Sequence, residues 1–179
     1  RFLFFSNFIQ EKGIFDLLEA FAKLNIEFPN TALTLCGMPK NPEILKKIRR
    51  NISRNISIIK PIYGDDKYKL FDKHDVFVLP SWAEGQPLSI IEAMYRGLPV
   101  VVTNVGVVRE MLPKRYPSVA KPKDVTDLFF KMRVLMSYTT RKQLGILLTE
   151  RFNKEFSKES HAMQLNEVFK FKKSVFKSY

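Results

Sequence analysis

Cysteine occurs once in the 179 residues, at Cys36, and histidine twice. A single thiol excludes an internal disulfide, and this supply of sulfur and imidazole argues against a dedicated structural zinc site. It points to a reducing, cytosolic compartment. Cys36 sits in the apolar run Leu33-Thr34-Leu35-Cys36 and reads as a small core residue rather than a nucleophile. No apolar stretch approaches the roughly 20 residues of a membrane span, and no signal-peptide pattern is visible. The first strand-to-helix turn lacks G-x-G-x-x-G, which argues against a dinucleotide oxidoreductase. Zinc-finger spacing and aromatic ribonucleoprotein-type motifs are also missing, which argues against nucleic acid as a partner. No Gly/Ser linker, repeat or low-complexity segment divides the chain, so residues 1–179 read as one domain. The chain opens on Arg1 and at once on the apolar run Phe2-Leu3-Phe4-Phe5, as a domain excised from a longer protein would.

The composition is that of a globular protein, 45% hydrophobic and 27% charged. A chain of this length buries about 70% of its unfolded surface. Charge is its most skewed property, +12 with a pI near 9.8. Cations are densest from Lys40 to Lys60, where Lys40, Lys46, Lys47, Arg49, Arg50, Arg54 and Lys60 face only Glu43. On a helix over Pro42 to Asn51, Ile44, Leu45 and Ile48 form the buried stripe, which leaves the cations in solvent. Such a face is either a solubilising surface or an attraction for anionic lipid or phosphorylated substrates.

Strand and helix patterns alternate. Phe2 to Ser6 reads as a buried strand, and Lys12 to Glu27 as a helix with Ile14, Leu17, Leu18, Phe21 and Leu24 on one face. Strands follow over Ala32 to Cys36, Ile56 to Ile59, Val76 to Leu79 and Pro99 to Thr103. Helices follow over Pro42 to Asn51, Asp66 to Phe71 and Leu88 to Arg96, the last closed by Gly97. After Val119-Ala120 the pattern is helical over Val125 to Ser137, Thr140 to Phe152 and Lys158 to about Val175. Short, continuous apolar strands separated by helices predict an α/β fold, a Rossmann-like parallel sheet with helices on both faces.

The segment Glu84-Gly85-Gln86-Pro87-Leu88-Ser89-Ile90-Ile91-Glu92 is the most informative part of the chain. It places one carboxylate in a loop after the strand Val76–Leu79 and another a turn inside the next helix. Open α/β sheets bind ligands in that crevice. A helix N-terminus adds free N–H groups and partial positive charge, which suit a phosphate. Carboxylates beside an anion site fit a ligand bearing both hydroxyls and phosphates, such as a nucleotide sugar. The adjacent Asp65-Asp66 reads as helix capping rather than as a metal site.

The same segment, extended through Pro80-Ser81 and through Glu92-Ala93-Met94 to Gly97-Leu98-Pro99-Val100-Val101, resembles the retaining glycosyltransferases of family 4. Lys12-Gly13 with Leu17-Leu18-x-Ala20 belongs to the same resemblance, which covers the whole chain. It implies the C-terminal, nucleotide-sugar-binding domain of a GT-B enzyme whose acceptor-binding half would lie N-terminal. Glu84 and Lys12 would be catalytic, Glu84 on the donor sugar hydroxyls and Lys12 on the diphosphate. Glu92 would bind the ribose hydroxyls. Gly85, Gln86, Pro87 and Leu88 would offer backbone contacts to the donor. The family often carries an arginine five residues before the lysine; here Asn7 takes that place, as a donor-binding residue without the charge. Tyr63, in Ile59-Lys60-Pro61-Ile62-Tyr63, is a candidate for the base, and Gly106 and Glu110 match a second family turn.

The resemblance further implies a UDP- or GDP-sugar as substrate, no metal and no cofactor. It implies a saccharide or lipid-linked acceptor, and an isolated domain inactive without its other half. The expected location is cytoplasmic, with a peripheral contact on anionic membrane at its inner face. The apolar positions of Ser160 to Tyr179 would dock on the chain's own N-terminal domain or on such a membrane. Two alternatives stay open at this point, a sugar-nucleotide epimerase of related GT-B fold and a basic module for RNA or anionic membrane.

Overall fold

In the computed structural model, which describes residues 1–166, six parallel strands form one sheet. They are β1 (Phe2–Phe5), β2 (Leu33–Cys36), β3 (Ile56–Ile59), β4 (Val76–Leu79), β5 (Val100–Thr103) and β6 (Val119–Ala120). Their order is β3-β2-β1-β4-β5-β6. β1 pairs on one side with β2, Phe2 opposite Leu33, and on the other with β4, Phe2 opposite Val76. The chain therefore steps one way across the sheet from β1 and the other way from β4. The gap between these two strands is the topological switch point.

Seven helices connect and cover the strands: α1 (Ile14–Glu27), α2 (Pro42–Arg50), α3 (Asp65–Asp72), α4 (Leu88–Tyr95), α5 (Val108–Met111), α6 (Val125–Val134) and α7 (Tyr138–Glu155). A further helical segment occupies 158–166. Right-handed crossovers put α1, between β1 and β2, and α4, between β4 and β5, on opposite faces, because the two crossovers run in opposite directions. α6 packs on α1 and α7 on α4, which completes both layers.

Covered on both sides, the strands need no polar alternation, and β4 and β5 are buried at every position. Phenylalanine supplies much of the core volume. Phe71 stacks on Phe77 with ring centroids 5.7 Å apart, and Phe2 meets Phe21 edge-on at 6.1 Å. Each such side chain, fully buried, contributes about 1.5–3 kcal/mol by leaving water.

Within the described residues the expected elements are observed, with shifts at their ends. Lys12 does not open the first long helix; it closes a 3-10 turn, Gln10–Lys12. Gly13 then adopts a left-handed conformation and α1 begins at Ile14. On α2, Ile48 is buried while Ile44 and Leu45 are only partly covered. The carboxylates of Asp65 and Asp66 do not cap α3, whose N-cap is Gly64 without a side-chain bond; Asp66 pairs with Lys69 instead. β6 and α5 carry too few residues for a periodic pattern, and the sequence reading did not assign them. Of the terminal apolar set, Met163 and Leu165 are exposed. Val168, Phe169, Phe171, Val175 and Phe176 lie outside the described residues.

Candidate active site

Two loops meet at the switch point, one after β1 and one after β4. The first carries Asn7 and Lys12, the second Ser81, Trp82 and Glu84. They are stitched together by backbone and side chain alike. Trp82 N–H donates to the Glu11 carbonyl at 2.8 Å, and the Trp82 indole N–H donates to Asp16 Oδ2 at 2.6 Å. Lys123 Nζ stands 4.7 Å over the indole ring. The Thr103 hydroxyl donates to the Ser81 carbonyl from β5.

Two glycines permit this approach. A Cβ on Gly13 would stand 2.0 Å from the Pro80 carbonyl oxygen, and one on Gly106 would stand 1.9 Å from the Glu84 carbonyl oxygen. Both residues have positive φ, 67° and 50°. No L side chain fits either place without moving the loop.

The result is a contact between residues 72 positions apart. Lys12 Nζ donates to Glu84 Oε1 at 2.7 Å, and Ser81 Oγ donates to the same oxygen at 2.6 Å. The Glu84 side chain is 7% exposed and that of Lys12 25%. Oε2 of Glu84 has no partner among the described residues, and Lys12 uses one of its three N–H donors here.

Glu92, on the inner turn of α4, makes a second ion pair. Lys67 Nζ, from α3, donates to its Oε1 at 2.6 Å, with both side chains about a fifth exposed. Glu92 also borders a cleft of about 550 Å³ with Tyr68, Ile91, Tyr95 and Phe152. A second cleft, about 370 Å³, lies at the opposite edge of the sheet beside Arg1, Asp75 and Arg141, away from these carboxylates.

The remaining expected positions fall around the same edge. Gly85, Gln86 and Leu88 are exposed and Pro87 is buried. No side chain caps α4, so its first amides are not engaged from that quarter. Asn7 is exposed, with no side-chain hydrogen bond among the described residues. Tyr63 is 78% exposed in the loop after β3 and does not pack into the core. Glu110 is exposed. Cys36 is buried, and burial pushes its thiol up from the ordinary value, which suits a core residue and not a nucleophile. Among the described residues, no three His, Cys, Asp or Glu side chains converge on a point where a metal could sit.

Sequence reasoning singled out Lys12, Glu84 and Glu92. It missed Ser81, Lys67 and the Trp82–Asp16 bond. Pro80-Ser81 stood in the motif without a role, and a lysine near the start of a short helix carries no signal of its own.

The chain as a whole is similar to known proteins. The family model for glycosyl transferases group 1 matches residues 1–145. The chain is 27% identical over 147 residues to the sulfoquinovosyl transferase SQD2 of Arabidopsis thaliana, covering 79% of this chain and 28% of that protein. It is 32% identical over 120 residues to the putative teichuronic acid biosynthesis glycosyltransferase TuaC of Bacillus subtilis, covering 67% of this chain and 28% of that one. Among solved structures, HepE of Anabaena in complex with UDP superposes with a TM-score of 0.82 at 18% identity, over 94% of this chain and 48% of its own. Sucrose-phosphate synthase of Thermosynechococcus elongatus superposes with a TM-score of 0.82 at 23% identity, over 99% of this chain and 46% of its own. These superpositions establish a fold shared with GT-B glycosyltransferases. The chain spans under a third of the length of these two curated relatives. By the match over residues 1–145, it belongs to the glycosyl transferases group 1 family.

Proposed function

We propose that the chain is the donor-binding domain of a retaining glycosyltransferase of family 4. It holds a nucleoside diphosphate sugar, UDP- or GDP-linked, whose sugar passes to a saccharide or lipid-linked acceptor held by an N-terminal domain. The observation that carries this reading is the Lys12–Glu84 contact across the switch point, 2.7 Å long and braced by Ser81. When the bond from anomeric carbon to phosphate breaks, negative charge grows on the departing diphosphate and positive charge on the sugar ring. A cation and a carboxylate already fixed side by side match those two charges, with little reorganisation left for the reaction. Lys12 offers its two unused N–H donors to the diphosphate. Glu84 offers Oε2 to sugar hydroxyls while Ser81 keeps the carboxylate in place. The open amides of α4 add partial positive charge on the phosphate side.

The reading assigns no metal to the reaction, because Lys12 and the helix start meet the diphosphate charge. It places the protein in the cytoplasm, with peripheral contact on anionic membrane. One observation supports that contact. Lys46, Lys47, Arg49 and Arg50 are exposed on α2, and none of them pairs with an acid among the described residues. No described helix is long and apolar enough to cross a membrane. Without the acceptor half the chain binds donor but does not transfer sugar.

Calorimetric titration with UDP, GDP, ADP and their sugar conjugates, with and without EDTA, tests the reading. Saturable binding of at least one nucleoside diphosphate in EDTA supports it. Binding lost entirely in EDTA overturns the metal-free assignment. No binding of any nucleotide, alongside tight binding of RNA, replaces the reading with a basic nucleic-acid module. Release of free sugar from the conjugate without acceptor favours the epimerase.

A further inference from the structure

Position 7 is a neutral asparagine, exposed and without a side-chain hydrogen bond among the described residues. The loop after β1 thus offers the diphosphate a single cation, Lys12. The fold brings another to the other side of the α4 start. Glu84 stands four residues before Leu88 and Glu92 four residues after it, and each carboxylate holds an ammonium group, Lys12 at 2.7 Å and Lys67 at 2.6 Å. Four residues of helix advance about 6 Å, so the carboxylate that holds the second ammonium branches from the chain about one turn past the helix start. Lys67 spends one N–H on Glu92 and leans toward the Tyr68 ring at 5.2 Å, which leaves two donors.

We infer that Lys67 is a phosphate-binding residue of the donor site, a second cation that meets the nucleotide's diphosphate from the ribose side while still paired with Glu92. This inference rests on the proposed donor-binding function. The charge balance supports it. With their carboxylates, Lys12 and Lys67 form two neutral pairs, so neither carries an excess charge that would repel the other. A diphosphate arriving between them finds two ammonium groups with unused donors, in a site that is only partly solvated and therefore weakly screened. The pairing also fixes Glu92. With Oε1 held by Lys67, Oε2 is the oxygen left to accept from a hydroxyl.

The test compares the unsubstituted chain with Lys67→Met by calorimetry, using whichever of UDP, GDP or ADP binds best, its monophosphate and its nucleoside. The expected result is a loss of about tenfold for the diphosphate and less than twofold for the nucleoside. An equal loss for both would make Lys67 a mere orienter of Glu92 and overturn the inference, as would no loss. The same comparison in a Glu92→Gln background separates direct contact from action through the carboxylate; the diphosphate-specific loss persists there if Lys67 touches phosphate and vanishes if it does not. Should Lys67→Met melt before binding can be read, Lys67→Gln carries the same comparison with the aliphatic stem and a neutral donor retained. Absence of any binding by the unsubstituted chain defeats the donor-site reading as well, whereas binding indifferent to Lys67 defeats this inference alone.

Discussion

Replacing Glu84 by glutamine separates the two jobs assigned to its carboxylate. Structurally, the amide oxygen can still accept from Ser81 Oγ and Lys12 Nζ, now at 2.6 and 2.7 Å, but without charge. The lost charge assistance on a partly buried pair costs about 1–2 kcal/mol, less than for a fully buried pair because Lys12 retains 25% exposure. For a chain of this size that is roughly a 2–8 °C drop in Tm. Binding responds differently. Glu84 competes with phosphate for Lys12, so removing its charge leaves affinity for the nucleoside diphosphate unchanged or slightly raised. The sugar conjugate loses a charged hydrogen bond from Oε2, and its affinity falls by about 10-fold or more. Thermal melts followed by calorimetry with diphosphate and with sugar conjugate read both effects. A parallel Glu92→Gln variant weakens both ligands together, since each contains the ribose. Equal losses for diphosphate and conjugate in Glu84→Gln would refute the placement of this carboxylate on the sugar. An unchanged Tm would show that the pair with Lys12 adds nothing to the fold.

Three further outcomes are expected. Gly13→Ala forces a Cβ to 2.0 Å from the Pro80 oxygen at a φ of 67°, so urea denaturation should show a loss of at least about 2 kcal/mol together with weaker nucleotide binding; a neutral result would mean the two loops are not held as described. Tyr116→Phe strands the buried Val100 N–H, which now donates to the tyrosine oxygen at 2.9 Å, and should cost about 1–3 kcal/mol in the same assay while leaving ligand affinity intact. His74 has its pKa held below the ordinary 6.5, first by burial and then by the positive charge at Arg1, against the opposing Leu70 carbonyl. A depressed histidine favours the neutral native ring, so its contribution is complete above pH 6.5 and declines as pH falls from there toward the folded pKa. The denaturation midpoint of the unsubstituted chain should therefore fall more between pH 7.5 and 5.5 than that of His74→Gln, and parallel pH profiles would exclude the effect.

Much of this protein is written locally. Runs such as Val76-Phe77-Val78-Leu79 and Val100-Val101-Val102 are apolar at every position, and only a strand covered on both faces has use for that pattern. The 3.6-residue period of Ile14, Leu17, Leu18, Phe21 and Leu24 states helix equally plainly, and all five are buried on α1. Glu84 and Glu92 were legible because their loop, proline and helix start are contiguous. By contrast, the two residues of β6 and the four of α5 are too few for any period to emerge, and only pairing with β5 makes β6 a strand. The start of α1 was misread by two residues because a left-handed Gly13 is a matter of φ, which composition does not reveal.

Long-range meetings are of another kind. Nothing between Lys12 and Glu84 signals that they touch; they touch because β1 lies next to β4 in the sheet order and both loops leave the same edge. Lys67 on Glu92, 25 residues away, and Trp82 on Asp16, 66 residues away, depend on helix packing and on a loop folded back over the sheet. By itself the sequence determined the parallel α/β class and the family motif, and it pointed to the two carboxylates of the candidate site, since each is encoded in neighbouring residues. Tertiary structure alone decided which cations those carboxylates hold, because a hydrogen bond of 2.6 or 2.7 Å between distant residues exists only once strand order and packing have fixed both partners in space.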